Sequence, residues 1–397
     1  MNDGYGGTWH NMSGAIKQIY HSLAGVNVTP KKALSLSVYY ACIRNISEDI
    51  AKVPFLTYER QPNGDKSRAF DNPVYDILQG SANPDQDSMS VRELLTQWAV
   101  GWGNGLAEIQ WSQSGQPAAL WPIHPSRVRP QRDKSGLLVY EISNDNQQPT
   151  YIYPENMLHI KGLGGDGYWG YSVLKFAAES IGLGIAAQQF GSAFFGNGAS
   201  VSGTLEHPGK LSDEAYKHLR ESWSEKHAGV HNAHKPAILE EGMKWNTISV
   251  PPNEAQFLET RQFNVEDVCR WFRMPLHKVQ HHIRAQGWST LDAQNTDYVT
   301  DCLMTWMTRW ESEVARKLFP GDRRHFSEHL IAGLLRGDMK SRAAFYRVMW
   351  GIGTMSINEI RRAENQNSVD GGDQYFVPMN MTTLDRAANG DQTDGIT

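Results

Sequence analysis

The sequence predicts an α+β fold, and three observations carry that expectation. Apolar residues recur at three- and four-residue spacing in several long stretches; short alternating runs cut by turn residues fill 103–160; and a segment of both kinds, 197–252, separates two long helical stretches. With 397 residues, the chain has room for two to four units of about 100–200 residues each. A core of that size needs no disulfide or metal staple.

Residues 1–35, rich in glycine at first and ending near Pro30-Lys31-Lys32, read as a loosely held arm. Tyr39, Ile43, Ile46, Ile50 and Val53 mark one face of a helix that Pro54 stops. Phe55-Leu56-Thr57-Tyr58 with Pro62-Asn63-Gly64-Asp65 reads as strand and turn, and Asn72-Pro73 opens a short helix through Leu78. An amphipathic helix is expected from Val91 to Val100. Strands are then expected from Ala107 to Trp111, Ala118 to Ile123, Leu137 to Ile142 and Met157 to Ile160, with turns such as Ser114-Gly115-Gln116-Pro117 between them. Residues 36–172 thus form one mixed domain dominated by antiparallel hairpins.

A glycine loop, 162–170, leads to a helix expected from Val173 to Phe195. Gly182, Gly184, Ala186, Ala187, Gly191, Ser192 and Ala193 lie within it. Each interior glycine costs about 0.8–1.0 kcal/mol relative to alanine, so such a run signals close helix packing, including packing against copies of itself. The insertion holds a strand near Val201–Leu205, a helix from Ser212 to Lys226 with Ser212 as cap and acids over its positive end, and strands at 237–239 and 243–250. After Pro251-Pro252 a helix runs from about Asn253 to Phe272, and Pro275 closes it. The next helix, Ser289 to Leu318, carries the stripe Val299, Leu303, Trp306, Trp310, Val314 and Leu318, suited to a core or to another subunit. Two helices hinged at Gly351-Ile352-Gly353 span Arg336 to Glu364, and the tail after Asn380 is polar enough to be disordered.

The formal net charge of -5, from 38 Lys+Arg against 43 Asp+Glu, excludes a protein that grips nucleic acid over its whole surface, because that affinity needs many cation–phosphate contacts. A local basic patch stays open. Cys42, Cys269 and Cys302 are an odd set in helical stretches, which argues for free thiols in a reducing compartment. Met1–His10 has Asp3 and glycines where a secretory signal would be basic and then apolar. The stretch 176–195 carries Glu179, Gln188 and Gln189, too polar for a membrane span.

Three catalytic patterns match on paper. Gly162-Leu163-Gly164-Gly165-Asp166-Gly167 has the form G-x-G-x-x-G after a strand, but Tyr168 to Tyr171 separate the glycines from the next helix, so its amides would not face a pyrophosphate. The segment therefore reads as a loop or hinge. His325-Phe326-Ser327-Glu328-His329 has the form H-x-x-E-H, which binds zinc only on a helix, whereas Pro320-Gly321-Asp322 and the local alternation suit a strand. His277, His281 and His282 with Lys278 and Arg284 lack a carboxylate or cysteine partner for a metal and read as a solvated or phosphate-contacting loop. Nothing here requires an enzyme, a metal or a cofactor.

Several stretches, in this order, carry a resemblance. They are Leu36-Ser37-Val38-Tyr39-Tyr40-Ala41-Cys42-Ile43-Arg44 with Ala51-Lys52-Val53-Pro54; His159-Ile160-Lys161-Gly162 leading to Asp166-Gly167-Tyr168-Trp169-Gly170-Tyr171-Ser172; and Phe272-Arg273-Met274-Pro275. Leu334-Leu335-Arg336-Gly337-Asp338 and Ile357-Asn358-Glu359-Ile360-Arg361-Arg362, closed by Gly371-Gly372-Asp373, complete the set. From about Ser35 to Met379 the chain resembles the portal proteins of tailed double-stranded DNA phages.

That resemblance implies a portal fold without a catalytic site: a flexible arm 1–35, a β-rich wing 36–172, stem helices 173–196 and 253–272, an inserted α/β clip 197–252, a tunnel loop 276–288, a tunnel helix 289–318, a helical crown 330–379 and a disordered tail 380–397. It implies a homo-oligomeric ring, usually a dodecamer, at one capsid vertex of the virion, assembled in the host cytoplasm. Double-stranded DNA would slide through it during packaging and ejection. Its protein partners would be the terminase large subunit, the head-tail adaptor, the major capsid protein and a scaffold, with no membrane. Lys278, Gln280, His281, His282, Arg284 and Gln286 would face DNA, and Glu206, His207, Lys210, Glu214, Lys217, Glu221 and Lys226 would form the clip's docking surface. Two alternatives stand beside this reading: a zinc-dependent hydrolase using His325, Glu328 and His329, and another virion structural protein.

Overall fold

In the computed structural model, the described residues are 19–376, except 145–147, 165, 197–202, 210, 228–241, 248–253, 282–287, 332–338 and 365. The chain divides after Leu330 into two units. The first opens with a small hairpin, β1 (Tyr20–His21) against β2 (Asn27–Val28), and one turn, α1 (Pro30–Ala33), capped by the Thr29 hydroxyl. Val26, Val28 and Ala33 are buried, so the segment expected to be loose up to residue 35 is docked from Ile19 onward. Local spacing gives no hint of this, because two-residue strands carry no periodicity.

Helix α2 (Ser37–Lys52) buries Tyr39, Cys42, Ile43, Ile46 and Ile50 on the face the spacing predicts, and Pro54 follows its end. Next come β3 (Phe55–Arg60), β4 (Lys66–Arg68) and α3 (Pro73–Gln79), where Asn72 Oδ1 accepts from Val74 N as N-cap. A short hairpin, β5 (Ser81–Asn83) and β6 (Gln86–Asp87), leads into α4 (Ser88–Trp102), which packs along α2. Strands β7 (Asn104–Trp111) and β8 (Pro117–Ile123) form a hairpin; β9 (Val128–Arg132), β10 (Leu138–Ile142) and β11 (Thr150–Ile152) form a meander; β12 (Met157–Lys161) returns beside β7. All pairings are antiparallel. Leu106, Val128, Tyr140, Ile142, Ile152 and Met157 form the core between the two sheets.

The predicted helix 173–195 is two helices, α5 (Val173–Phe176) and α6 (Ala178–Gly196), broken at Ala177, whose φ of -89° and ψ of 9° leave the helical region. The insertion supplies β13 (Gly203–Glu206), α7 (Asp213–His227) and β14 (Lys244–Thr247), with β13 antiparallel to β14 and Ser212 Oγ accepting from Ala215 N. The strand expected at 237–239 lies outside the described residues. Helix α8 (Glu254–Phe272) runs back antiparallel to α6: Asn264 Nδ2 donates to Ser180 O, and Phe257 meets Phe190 with centroids 5.8 Å apart.

The helix expected from Ser289 starts one residue earlier, as α9 (Trp288–Asp297), passes through a π-helical segment (Tyr298–Leu303) and continues as α10 (Met304–Leu318). The π segment shifts the face, so Met307 takes a fully buried place and Trp306 is left half-exposed. The stripe belongs to this unit's core: Trp310 is fully buried, donates to Thr96 Oγ1 at 3.0 Å and lies edge-on to Phe55. Burial of such a side chain stabilises by about 1.5–3 kcal/mol.

The last strand, β15 (His325–His329), pairs antiparallel with β3 from His325↔Glu59 to His329↔Phe55, giving the order β15-β3-β4. The mixed domain expected to end at residue 172 is therefore completed by residues from the far side of the chain. The second unit contains α11 (Met339–Gly351) and α12 (Ile357–Ala363); Ser356 and Glu359 form a capping box at the start of α12. Among the described residues no helix is long and apolar enough to cross a membrane.

Candidate functional site

The glycine loop is a clamp of backbone on backbone. Gly103 ends α4 at φ +84°, and a Cβ on Gly170 would lie 1.9 Å from Gly103 O. Asn104 Oδ1 accepts from Gly170 N at 2.8 Å and Asn104 Nδ2 donates to Gly170 O at 2.9 Å, which fixes the amide's orientation. His159 Nε2 therefore donates to Asn104 Oδ1 at 2.9 Å, and its Nδ1 accepts from Tyr140 OH at 3.0 Å. Burial, with Lys161, Lys317 and Arg316 nearby, holds the His159 pKa well below its ordinary value, so the ring is neutral. Its backbone N–H donates to Glu313 on α10, which also pairs with Arg316. Gly162 N is committed to Gly103 O, and the amides of Tyr168, Trp169, Gly170 and Tyr171 to Asp166, Asn104 and Leu163, while Val173 opens the next helix too far on to add its N-terminus to a phosphate site. The arrangement also does not suit a hinge.

At the end of α8, Arg273 adopts a left-handed backbone with φ of 52°, and Met274 N donates back to Cys269 O as a helix stop. Pro275 starts a 3-10 turn (Leu276–Val279) that ends at Gln280, also left-handed at φ 58°. Asn45 Nδ2 donates to Lys278 O and ties this turn to α2. Lys278 Nζ sits 4.9 Å from the Tyr298 ring centroid, and burial lowers its pKa, opposed by Asp49. His281 Nε2 lies 3.9 Å from Glu266 Oε1 on α8. Of the six residues expected to face DNA, Lys278 and His281 thus engage their own chain, Gln280 is exposed, and His282, Arg284 and Gln286 lie outside the described residues.

Arg273 and Arg309, to which the sequence assigns no site role, both line a cleft of about 490 Å³ walled by Tyr171, Phe176, Trp271 and Trp306. Arg309 stacks on Trp306 with its guanidinium carbon 4.6 Å from the ring centroid, and burial followed by Arg273 lowers its pKa. Asp301 is on the same wall. The stretch Phe272-Arg273-Met274-Pro275 carries part of the resemblance, but nothing local marks Arg273 as a left-handed helix stop, because glycine is the usual residue there. The thiols of Cys42, Cys269 and Cys302 are free and buried nearby, with Cys42 hydrogen-bonded to Cys269.

On the insertion, Glu206, Glu214, Lys217 and Glu221 are exposed, and His207 is half-exposed with Nδ1 2.9 Å from Gly209 O. Lys226 falls within α7, and Lys210 lies outside the described residues. The zinc alternative fails on geometry. In a strand, His325 and His329 are about 13 Å apart along one face, while Glu328 points to the other and pairs with Lys66. His325 Nδ1 meets Asp322 Oδ2 at 2.6 Å; His329 Nδ1 meets Glu311 Oε1 at 2.9 Å, and its ring stacks on Phe55 at 4.0 Å. No group of three or more metal-binding side chains occurs among the described residues.

Comparison with known proteins adds the following. A family model described as phage portal protein matches residues 37–365. The chain is similar to the probable portal protein of Streptomyces phage phiC31, with 34% identity over 379 residues that cover 90% of this chain and 81% of the relative. In structure it is similar to an HK97-family phage portal protein from Corynebacterium diphtheriae, with a TM-score of 0.58 at 13% identity over 82% of this chain and 98% of the other. It is also similar to a chain in the neck of a native GTA particle computed with C12 symmetry, with a TM-score of 0.56 at 19% identity over 89% and 96%.

Proposed function

The chain belongs to the phage portal protein family, and from that premise we propose that twelve copies close into a ring around a DNA channel at one vertex of a phage-like capsid. The family is structural, and the protein acts as a conduit and docking platform rather than as an enzyme. The observation that carries the reading is the family match over residues 37–365. The twelvefold count is supported by the neck chain with C12 symmetry.

In this reading, the α6–α8 hairpin is the stem. It leaves Leu183, Phe190, Leu258 and Phe263 exposed, apolar surface that neighbouring copies would cover. The clip, β13, α7 and β14, presents Glu206, His207, Lys210, Glu214, Lys217, Glu221 and Lys226 first to the terminase large subunit and later to the head-tail adaptor. The major capsid protein and scaffold meet the outer wing. Lys278, Gln280, His281, His282, Arg284 and Gln286 form the DNA-facing loop. Lys278 and His281 are partly engaged by Tyr298 and Glu266, which moderates their pull on phosphate. That suits a channel in which each neutralised phosphate would add salt-dependent affinity and slow translocation.

Electron microscopy of the purified protein tests the ring: particles with a central hole are expected, and a strict monomer under all conditions overturns the reading. A variant with Lys278, His281, His282 and Arg284 all changed to alanine is expected to package DNA more slowly or to shorter length. Normal packaging by that variant removes the loop from the DNA path and leaves the ring intact.

A further inference from the structure

Resting on the ring reading, we propose that the cleft holding Arg273 and Arg309 is one half of the contact between neighbouring copies, and that the exposed Phe70–Asp76 knob of the next copy fills it. A closed ring is built from a heterologous contact, in which two different patches of one subunit must be complementary and lie on different sides of it. Helix α4 spans the distance between two such patches. Its C-terminal residues Ala99 and Val100 line the cleft, while at its N-terminus Ser88 Oγ donates to Ile77 O of α3, beside the knob. Ser88 and Ala99 are eleven helical residues apart, which separates the two by about 17 Å.

The patches match in chemistry. The cleft has aromatic walls and two guanidiniums without an ion pair among the described residues, against one carboxylate, Asp301, so it is net positive and apolar. Phe70 is 59% exposed on the knob and packs on Tyr75 with centroids 5.0 Å apart. Asp71 and Asp76 are exposed beside it with no ion pair among the described residues; of the two cations on the adjoining strand β4, Lys66 is paired with Glu328, so only Arg68 stands against the two carboxylates and the knob is net negative. Arg273 also holds a left-handed backbone at φ 52°, where glycine would be unstrained, which keeps its side chain at the mouth of the helix end that lines the cleft.

The test uses Asp71→Arg and Arg309→Glu in the full chain, with ring fraction read by electron microscopy and sedimentation. Each variant alone is expected to lose rings at least tenfold relative to the unchanged protein at equal concentration. Mixed one to one, they are expected to recover rings, since each altered knob then meets an altered cleft in an alternating even-numbered ring. Because Arg309→Glu could disturb folding, a second variant, Phe70→Cys/Leu163→Cys, places thiols on both exposed patches, and mild oxidation is expected to give a ladder of covalent oligomers. Rings formed by both charge variants alone, or oxidised Phe70→Cys/Leu163→Cys that stays monomeric on a denaturing gel, overturn the contact while leaving the ring reading in place. Absence of rings in the unchanged protein instead overturns the reading on which the contact rests.

Discussion

Glycine is dense in two regions of this molecule, the 162–170 loop and helix α6, and it does opposite things in them. In the loop, the missing side chain lets main chain touch main chain: a Cβ on Gly170 would meet Gly103 O at 1.9 Å. In α6 it makes room for side chains: a Cβ on Gly184 would meet Asn264 Oδ1 at 2.3 Å, and one on Gly182 would meet Ser22 Oγ at 2.3 Å. A backbone carbonyl held in a sheet junction cannot retreat, whereas the Asn264 amide at the end of its side chain can rotate; at Gly182 the added carbon would also meet Ser22 Cβ at 2.4 Å, so there the docked hairpin itself would have to shift. The same composition thus makes a rigid clamp in one place and an adjustable seam in the other.

The largest expected effect tests the clamp. Gly170→Ala should destabilise by about 4 kcal/mol or more, lowering the thermal midpoint by roughly 8 °C or abolishing soluble expression. A midpoint near that of the unchanged protein would make the two regions equivalent. Asn104→Ala comes next, at about 3 kcal/mol in a denaturant titration, because it removes both hydrogen bonds to Gly170 and strands the buried His159 N–H. Gly184→Ala should cost only about 1–2 kcal/mol. Combined with Asn264→Ala it should cost less than the sum of the two single changes, since the shortened side chain vacates the space; full additivity would remove the seam interpretation.

The smallest effect concerns pH. The His159 pKa is lowered in the folded chain, so below about pH 6.5 the unfolded state takes up more protons and stability falls with acidification. The contribution is whole above that pH and is lost by at most about 1.4 kcal/mol per unit below it. His329 and His124 are lowered too and carry the same sign. The clamp's share is therefore the difference in pH slope between the unchanged protein and His159→Gln, and identical slopes would separate the clamp from the acid response.

Elements set by local periodicity were legible in the sequence. The buried face of α2, the Asn72 cap of α3 and most of the Trp310 stripe follow from three- and four-residue spacing and cap chemistry alone. What was not legible depends on distant partners. The β1–β2 hairpin is ordered by α6, where Leu23 N donates to the Glu179 carboxylate 156 residues away. The π segment in 298–303 moves Met307 into the core in place of Trp306, a change no helical pattern encodes. At the candidate site, the loop residues drew attention by residue type. Arg273 and Arg309 did not, because their significance comes from a cleft assembled by α4, α5, α8 and α10 rather than from neighbours in sequence.

The pairing of β15 with β3 has a temporal consequence. Thr57 and Ser327 touch across 270 positions, and Leu330 N donates to Pro54 O. During synthesis the outer edge of β3 stays open until the ribosome has released residue 329, and closing so long a loop is the slow kind of step. Completion of this sheet therefore waits on residues about 270 positions further along the chain.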